Sequence, residues 1–274
     1  MEQFTTAQCE LEGNRLAYFM RGQGEPLLLV HGITTYSFIW RKLLPLLEER
    51  YQIIGVDLLG CGASSKNLDQ PYSIKNHARL LQAFMQKLDI PKFHFVGHDV
   101  GGGIGQIFAV KYPEMLYDLV VINSVAYDFW PVQPIIAMRT PIIRQLAMAT
   151  LDMGALRMII RRGIYHKENL TQELMDYFWA PMKSKEGRKA FLHFAASLNN
   201  QHLLEITDQL HRLELPVLII RGDADPYLSG AIADKLARNI PDNTLIKIPT
   251  GSHFIQEDEP QQVAEIMVDF FTGK

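Results

Sequence analysis

Hydrophobic positions along this chain fall in two patterns that alternate. Leu27-Leu28-Leu29-Val30 is a solid apolar run that ends at His31-Gly32, and the runs Tyr51 to Val56, Phe93 to Val96, Leu119 to Ile122, Val217 to Ile220 and Thr244 to Ile248 repeat the theme. Short runs of this kind, closed by turn residues, predict buried strands. Between them lie spaced stripes. Ile74, His77, Ala78, Leu81, Phe84, Met85 and Leu88 recur at helical spacing behind Ser73, whose hydroxyl can accept from the free N–H groups of a first turn. Ile104 to Tyr112, Ala231 to Arg238 and Val263 to Phe271 predict further helices. Phe4 to Leu11 and Arg15 to Met20 flank Glu12-Gly13-Asn14 as an opening hairpin. Strands alternating with helices imply an α/β domain with parallel pairing, both sheet faces covered, and functional residues at the carboxyl ends of the strands.

The alternation stops between Asn123 and about Leu215. This span is helix-like and rich in Met and aromatic residues, among them Trp130, Met138, Met148, Met153, Met158, Tyr165, Met175, Tyr177, Trp179 and Met182. Pro131, Pro134, Pro141 and Pro181 punctuate it. The expected organisation is a core made of residues 1–123 and 216–274, with residues 124–215 inserted as a helical cap over the strand ends.

Composition narrows the function. Of the 274 residues, 47% are hydrophobic and 21% charged, an ordinary globular balance. Lys and Arg total 27 against 30 Asp and Glu, a net charge of -3, so no nucleic-acid or anionic-membrane partner is expected, and a small neutral ligand fits better. Cys9 and Cys61 stand far apart, which argues against a disulfide framework and suits a reducing compartment. MEQFTTAQCE lacks the basic start and apolar stretch of a signal peptide, and no uncharged apolar run is long enough to span a membrane. A cytoplasmic location is the expectation. His193, His202 and His211 have no metal-ligand spacing, and no metal or cofactor is expected.

The candidate chemistry sits where apolar runs end. Phe93 to Val96 leads into Gly97-His98-Asp99-Val100-Gly101-Gly102 and then a helix. A strand turning tightly into a helix strains the turn residue and lifts its side chain clear of the sheet, which requires very small neighbours. That displays Asp99 beside a helix N-terminus, although Asp at such a place is also a common cap. Val217 to Ile220 leads into Arg221-Gly222-Asp223-Ala224-Asp225, and Thr244 to Ile248 is followed by Gly251-Ser252-His253-Phe254. Gly-x-x-Asp spacing favours Asp225 over Asp223, a turn residue. The order Asp99, Asp225, His253 is nucleophile, acid, base.

These motifs, with His31-Gly32, Asp57-Leu58-Leu59-Gly60-Cys61-Gly62-Ala63-Ser64 and Gly251 to Glu257, make the chain resemble α/β-hydrolase fold proteins. The narrower likeness is to the branch with an aspartate nucleophile, the epoxide hydrolases and haloalkane dehalogenases. The resemblance implies a mostly parallel central sheet flanked by helices, with the helical cap inserted after the sixth strand. It also implies that Asp99 attacks a saturated carbon to give an alkyl ester. His253, oriented by Asp225, then activates the water that cleaves it. Backbone N–H groups of Ile33 and Val100 form the oxyanion hole.

Two departures shape the substrate expectation. Haloalkane dehalogenases bind halide with side-chain N–H donors at the positions held here by Val100 and Ile33, which have none. Epoxide hydrolases use cap tyrosines to protonate the ring oxygen, and Tyr127, Tyr165 and Tyr177 are the candidates. An epoxide is therefore expected ahead of a halide, with a small or medium apolar substrate and water as the partners. Ester, lactone or carbon–carbon hydrolysis and ligand binding without catalysis are the alternatives. His31, Thr34, Tyr127, Trp130, Tyr165, Tyr177 and Phe254 are the candidate pocket residues. His31 and His98 are also expected to fix loops rather than carry protons.

Overall fold

The computed structural model describes residues 7–128 and 152–273. Eight strands form one sheet: β1 (Ala7–Leu11), β2 (Asn14–Arg21), β3 (Glu25–Val30), β4 (Tyr51–Val56), β5 (Phe93–His98), β6 (Leu116–Ile122), β7 (Val217–Gly222) and β8 (Asn243–Ile248). Their spatial order is β1-β2-β4-β3-β5-β6-β7-β8. β2 is antiparallel to both β1 and β4, and every pairing from β4 to β8 is parallel. The solid apolar runs are the central strands, β5 and β7 being buried along their whole length. β8 closes the sheet as an edge and is only partly covered, in keeping with its mixed sequence.

Helices Ile74–Lys87, Val100–Lys111, Gly230–Asn239 and Pro260–Phe271 flank the sheet. The first begins as its sequence implies, with Ser73 Oγ accepting from Asn76 N–H at 3.2 Å and the stripe from Ile74 to Met85 buried. The second starts four residues earlier than its apolar pattern. Gly101, Gly102 and Gly103 are poor helix formers, but they lie buried in the first turn because close neighbours leave room for nothing larger.

Register sets the functional edge. Gly97 lies opposite Val121, Ile122 opposite Ile220, and Gly222 opposite Ile248. The carboxyl ends of β5 to β8 are thus level, and the residues following them share one rim of the sheet. Between β6 and β7 the described residues contain no strand. They form helices Met153–Arg162, Gln172–Trp179 and Lys185–Ser197, capped by the side chains of Asp152, Thr171 and Ser184, and the short turns Gln201–Leu204 and Thr207–Leu210. Pro131, Pro134, Met138, Pro141 and Met148 lie outside the described residues.

Candidate active site

Asp99 occupies the turn between β5 and its helix with φ 54° and ψ −119°, a conformation that residues with a Cβ seldom adopt. The backbone holds it there: its N–H donates to Ile122 C=O at 3.2 Å, and its C=O accepts from Gly102 N–H at 3.1 Å and Val125 N–H at 3.3 Å. A Cβ on Gly97 would run into the Gly101 carbonyl, and one on Gly101 into the Val30 carbonyl. The glycines expected from the sequence are therefore a packing requirement of the turn.

The carboxylate is oriented by two backbone donors. Ile33 N–H donates to Oδ2 at 3.1 Å, and Val100 N–H also bonds the carboxylate. These are the two N–H groups expected as oxyanion donors, and both act on the Asp99 carboxylate, Ile33 on Oδ2. Burial pushes the carboxyl above its usual range, opposed by the nearby His253 and by both N–H groups.

His253 is buried, and its Nδ1 pairs with Asp225 Oδ2 at 3.0 Å. Asp225 Oδ1 accepts from Tyr227 N–H at 2.8 Å and Leu228 N–H at 3.2 Å. Burial would raise the Asp225 carboxyl, but the His253 charge and hydrogen bond, Arg221 and the Tyr227 N–H outweigh it and hold the group below its usual range. Burial would likewise depress His253, yet Asp225 and Asp99 together keep its imidazole above the ordinary value. Asp223, by contrast, is an exposed turn residue.

His31 is fully buried beneath the Ile33 loop. Its Nδ1–H donates to Gly32 C=O at 2.7 Å while Nε2 accepts from Leu58 N–H at 3.0 Å, so both nitrogens are used in fixing that loop and its place among pocket residues is corrected. His98 Nε2–H donates to His253 C=O at 2.8 Å, and burial followed by the neighbouring His253 lowers its pKa to about 3, leaving it neutral.

The three candidate tyrosines diverge. Tyr127 is buried with its hydroxyl accepting from Asn239 Nδ2 at 2.9 Å and its ring beneath Lys235 Nζ at 4.0 Å, so the phenol is drawn onto helix Gly230–Asn239. Tyr165 is 44% exposed and meets the His166 ring edge-on at 5.0 Å. Both depart from their expected pocket role. Tyr177 donates to Glu173 at 2.5 Å within its own helix, and its ring packs on Phe38 at 5.5 Å. Phe178 in the same helix meets Phe254 at 5.0 Å, and Phe254 meets His253 at 4.9 Å, which carries helix Gln172–Trp179 toward the site. Thr34 is half-buried beside Ile33, and Trp130 lies outside the described residues.

Three neighbours have no role in the sequence reading. Arg221 Nη1 donates to Asp225 Oδ2 at 3.1 Å; its signal was a cation inside the otherwise apolar run Val217 to Gly222. Asn123 Nδ2 donates to the carbonyls of Ser252 at 2.7 Å and His253 at 3.0 Å while its Oδ1 accepts from Gly222 N–H at 2.8 Å, which ties β6, β7 and the histidine loop together. The ring of Tyr227 lies edge-on to His253 at 5.2 Å. Among the described residues, no group of three or more His, Cys, Asp or Glu could hold a metal ion.

Comparison with known proteins agrees with this architecture. The family model for the α/β hydrolase fold matches residues 25–151. A cis-3-alkyl-4-alkyloxetan-2-one decarboxylase of Shewanella oneidensis is 28% identical, the match covering 95% of this chain and 86% of that protein. Haloalkane dehalogenase 2 of Mycobacterium tuberculosis is also 28% identical, over 94% of this chain and 91% of its own. An α/β hydrolase fold protein from Burkholderia ambifaria superposes with a TM-score of 0.88 at 24% identity, covering 97% of both chains.

Proposed function

The chain is a member of the α/β-hydrolase superfamily, and on that premise we propose that it hydrolyses an apolar epoxide through a covalent ester on Asp99, beneath a cap formed by residues 124–215. The observation that carries the reading is the hold of the Ile33 N–H on Oδ2 of Asp99, with the Val100 N–H on the same carboxylate. With Oδ2 held, Oδ1 is the nucleophile. It bonds to the ring carbon, the carbon–oxygen bond breaks with its electron pair on the departing oxygen, and that oxygen takes up a proton from solvent. Oδ2 then becomes the carbonyl oxygen of the ester, already held by the Ile33 N–H, a donor that stabilises negative charge on it. His253 removes one proton from water, Asp225 steadies the resulting imidazolium, and the hydroxide adds to the Asp99 carbonyl carbon. The bond to the substrate oxygen breaks, and that oxygen takes the second water proton to leave as a diol, restoring the Asp99 carboxylate.

His253→Gln mixed with 1,2-epoxyoctane tests this. Mass spectrometry is expected to find one adduct per chain, on the peptide containing Asp99. Wild-type turnover of the epoxide that persists in Asp99→Asn would overturn the reading.

One observation favours a second substrate of the same site. Tyr127 and Tyr165 are drawn away from the elbow, which suits a leaving group that departs without a proton. A cis-dialkyl β-lactone, the ring named in the Shewanella relative, has one. Attack of Asp99 on its alkyl carbon would expel a carboxylate, and loss of carbon dioxide would return the electron pair through an alkene to Asp99. Alkene and carbon dioxide released from such a lactone, with the epoxide inert, would select this reading.

A further inference from the structure

We propose that Arg221 is a positioning residue for the Asp225–His253 pair, its fixed charge offsetting the Asp225 carboxylate so that His253 gives up its proton once Asp99 has become a neutral ester. The inference rests on the covalent reading above. Arg221 lies in β7 four residues before Asp225 and is only 4% exposed. Its two hydrogen bonds both end on Asp225, Nη1 on Oδ2 at 3.1 Å and Nη2 on the backbone carbonyl at 3.4 Å. Oδ2 is also the oxygen that pairs with His253 Nδ1 at 3.0 Å. One carboxylate oxygen therefore serves an imidazole and a guanidinium at once.

That sharing matters because His253 must change protonation state within one cycle. Before the reaction the imidazole feels two carboxylates, Asp225 and Asp99, which favour its charged form. An imidazolium cannot remove a proton from water. When Oδ1 of Asp99 bonds to substrate carbon, Asp99 loses its charge and a single carboxylate remains. Burial and, beside it, Arg221 oppose that remaining pull, so the proton leaves and the ring becomes a base. In epoxide opening, the proton lost by His253 balances the one gained by the departing oxygen, leaving the net charge of the complex unchanged. A permanent cation suits this task, since a guanidinium does not itself titrate in the working range. The other ionisable groups around the pair are His98 from β5, which is held neutral, and Tyr227, whose phenol burial raises to about 12. Arg162 of the cap acts on Tyr227, and Asp234 of helix Gly230–Asn239 feels Arg221.

The test is an NMR titration of the His253 imidazole in Asp99→Asn, a neutral stand-in for the ester, with Arg221 kept, changed to Gln or changed to Lys. Asp99→Asn is expected to lower the midpoint relative to wild type by about one pH unit, Arg221→Gln to raise it again by about as much, and Arg221→Lys to restore the low value. Midpoints that coincide across the three Arg221 forms would overturn the proposal. If the Gln form does not fold, Arg221→Met in the same Asp99→Asn background takes its place: a His253 midpoint above that of the Arg221 form supports the offset, and an equal one overturns it. Ester decay on 1,2-epoxyoctane separates the two claims: no ester in wild type defeats the covalent reading, while an ester whose decay has the same acid limb in wild type and Arg221→Gln defeats only the role of Arg221.

Discussion

At the scale of single residues, Asp99 is the point where backbone strain and chemistry coincide. Its positive φ costs on the order of 1–3 kcal/mol, and the backbone hydrogen bonds through its own N–H and C=O fix the turn against relaxation. The three polar residues Asp99, Asp225 and His253 were legible because each follows an apolar run. The direction of a tyrosine hydroxyl was not, since Tyr127 and Tyr177 have similar local sequence standing and differ only in what packs beside them. The charge on His253 also has a consequence for stability. Its folded-state pKa lies above the ordinary imidazole value of about 6.5, so the stability it contributes is fully present below that value and is lost as pH rises through the folded pKa. The melting temperature of wild type is expected to exceed that of His253→Gln by more at about pH 6 than at about pH 9. Thermal unfolding followed by circular dichroism at both values checks it.

At the scale of elements, local signals were sufficient where one side chain decides a boundary. Ser73 caps helix Ile74–Lys87 through Asn76 N–H, as its place before the stripe implied. Ser73→Ala is expected to lower stability by about 1 kcal/mol while leaving the slope of a urea unfolding curve unchanged. A loss within error in that experiment would mean the cap contributes nothing. Helix Val100–Lys111 shows the opposite case. Its apolar pattern begins at Ile104, but the chain turns helical directly after Asp99 because the glycine-rich turn packs against β3 and Ser124, contacts made by residues distant in sequence.

At the scale of the whole molecule, the histidine loop and the helical segment between β6 and β7 are joined by one buried carboxylate. Asp258 accepts from Tyr165 N–H at 2.9 Å and His166 N–H at 3.1 Å in that segment, and from Ser252 N–H at 2.9 Å beside His253. Phe254 N–H adds a bond to Gly163 C=O at 2.9 Å, and Glu257, buried under Arg41 and Lys42, accepts from Asn169 through its carbonyl at 2.7 Å. Asp258→Ala leaves these N–H groups without their acceptor and is expected to cost about 3 kcal/mol, with amide exchange accelerating in both 163–169 and 251–254. Faster exchange in only one segment would show that they are not coupled through Asp258. The alternation of solid runs and helical stripes, written in residues close together along the chain, was by itself enough to determine the α/β architecture and the rim on which polar residues gather, because burial of a strand or helix face depends on its own periodicity. Only the tertiary structure decided that Arg221 shares an oxygen with His253, that Asn123 and Asp258 lash the histidine loop in place, and that Tyr127 turns from the elbow. Those outcomes depend on which groups meet once the strands align, and partners such as Asn123 and Ser252, far apart along the chain, leave no periodic trace in sequence.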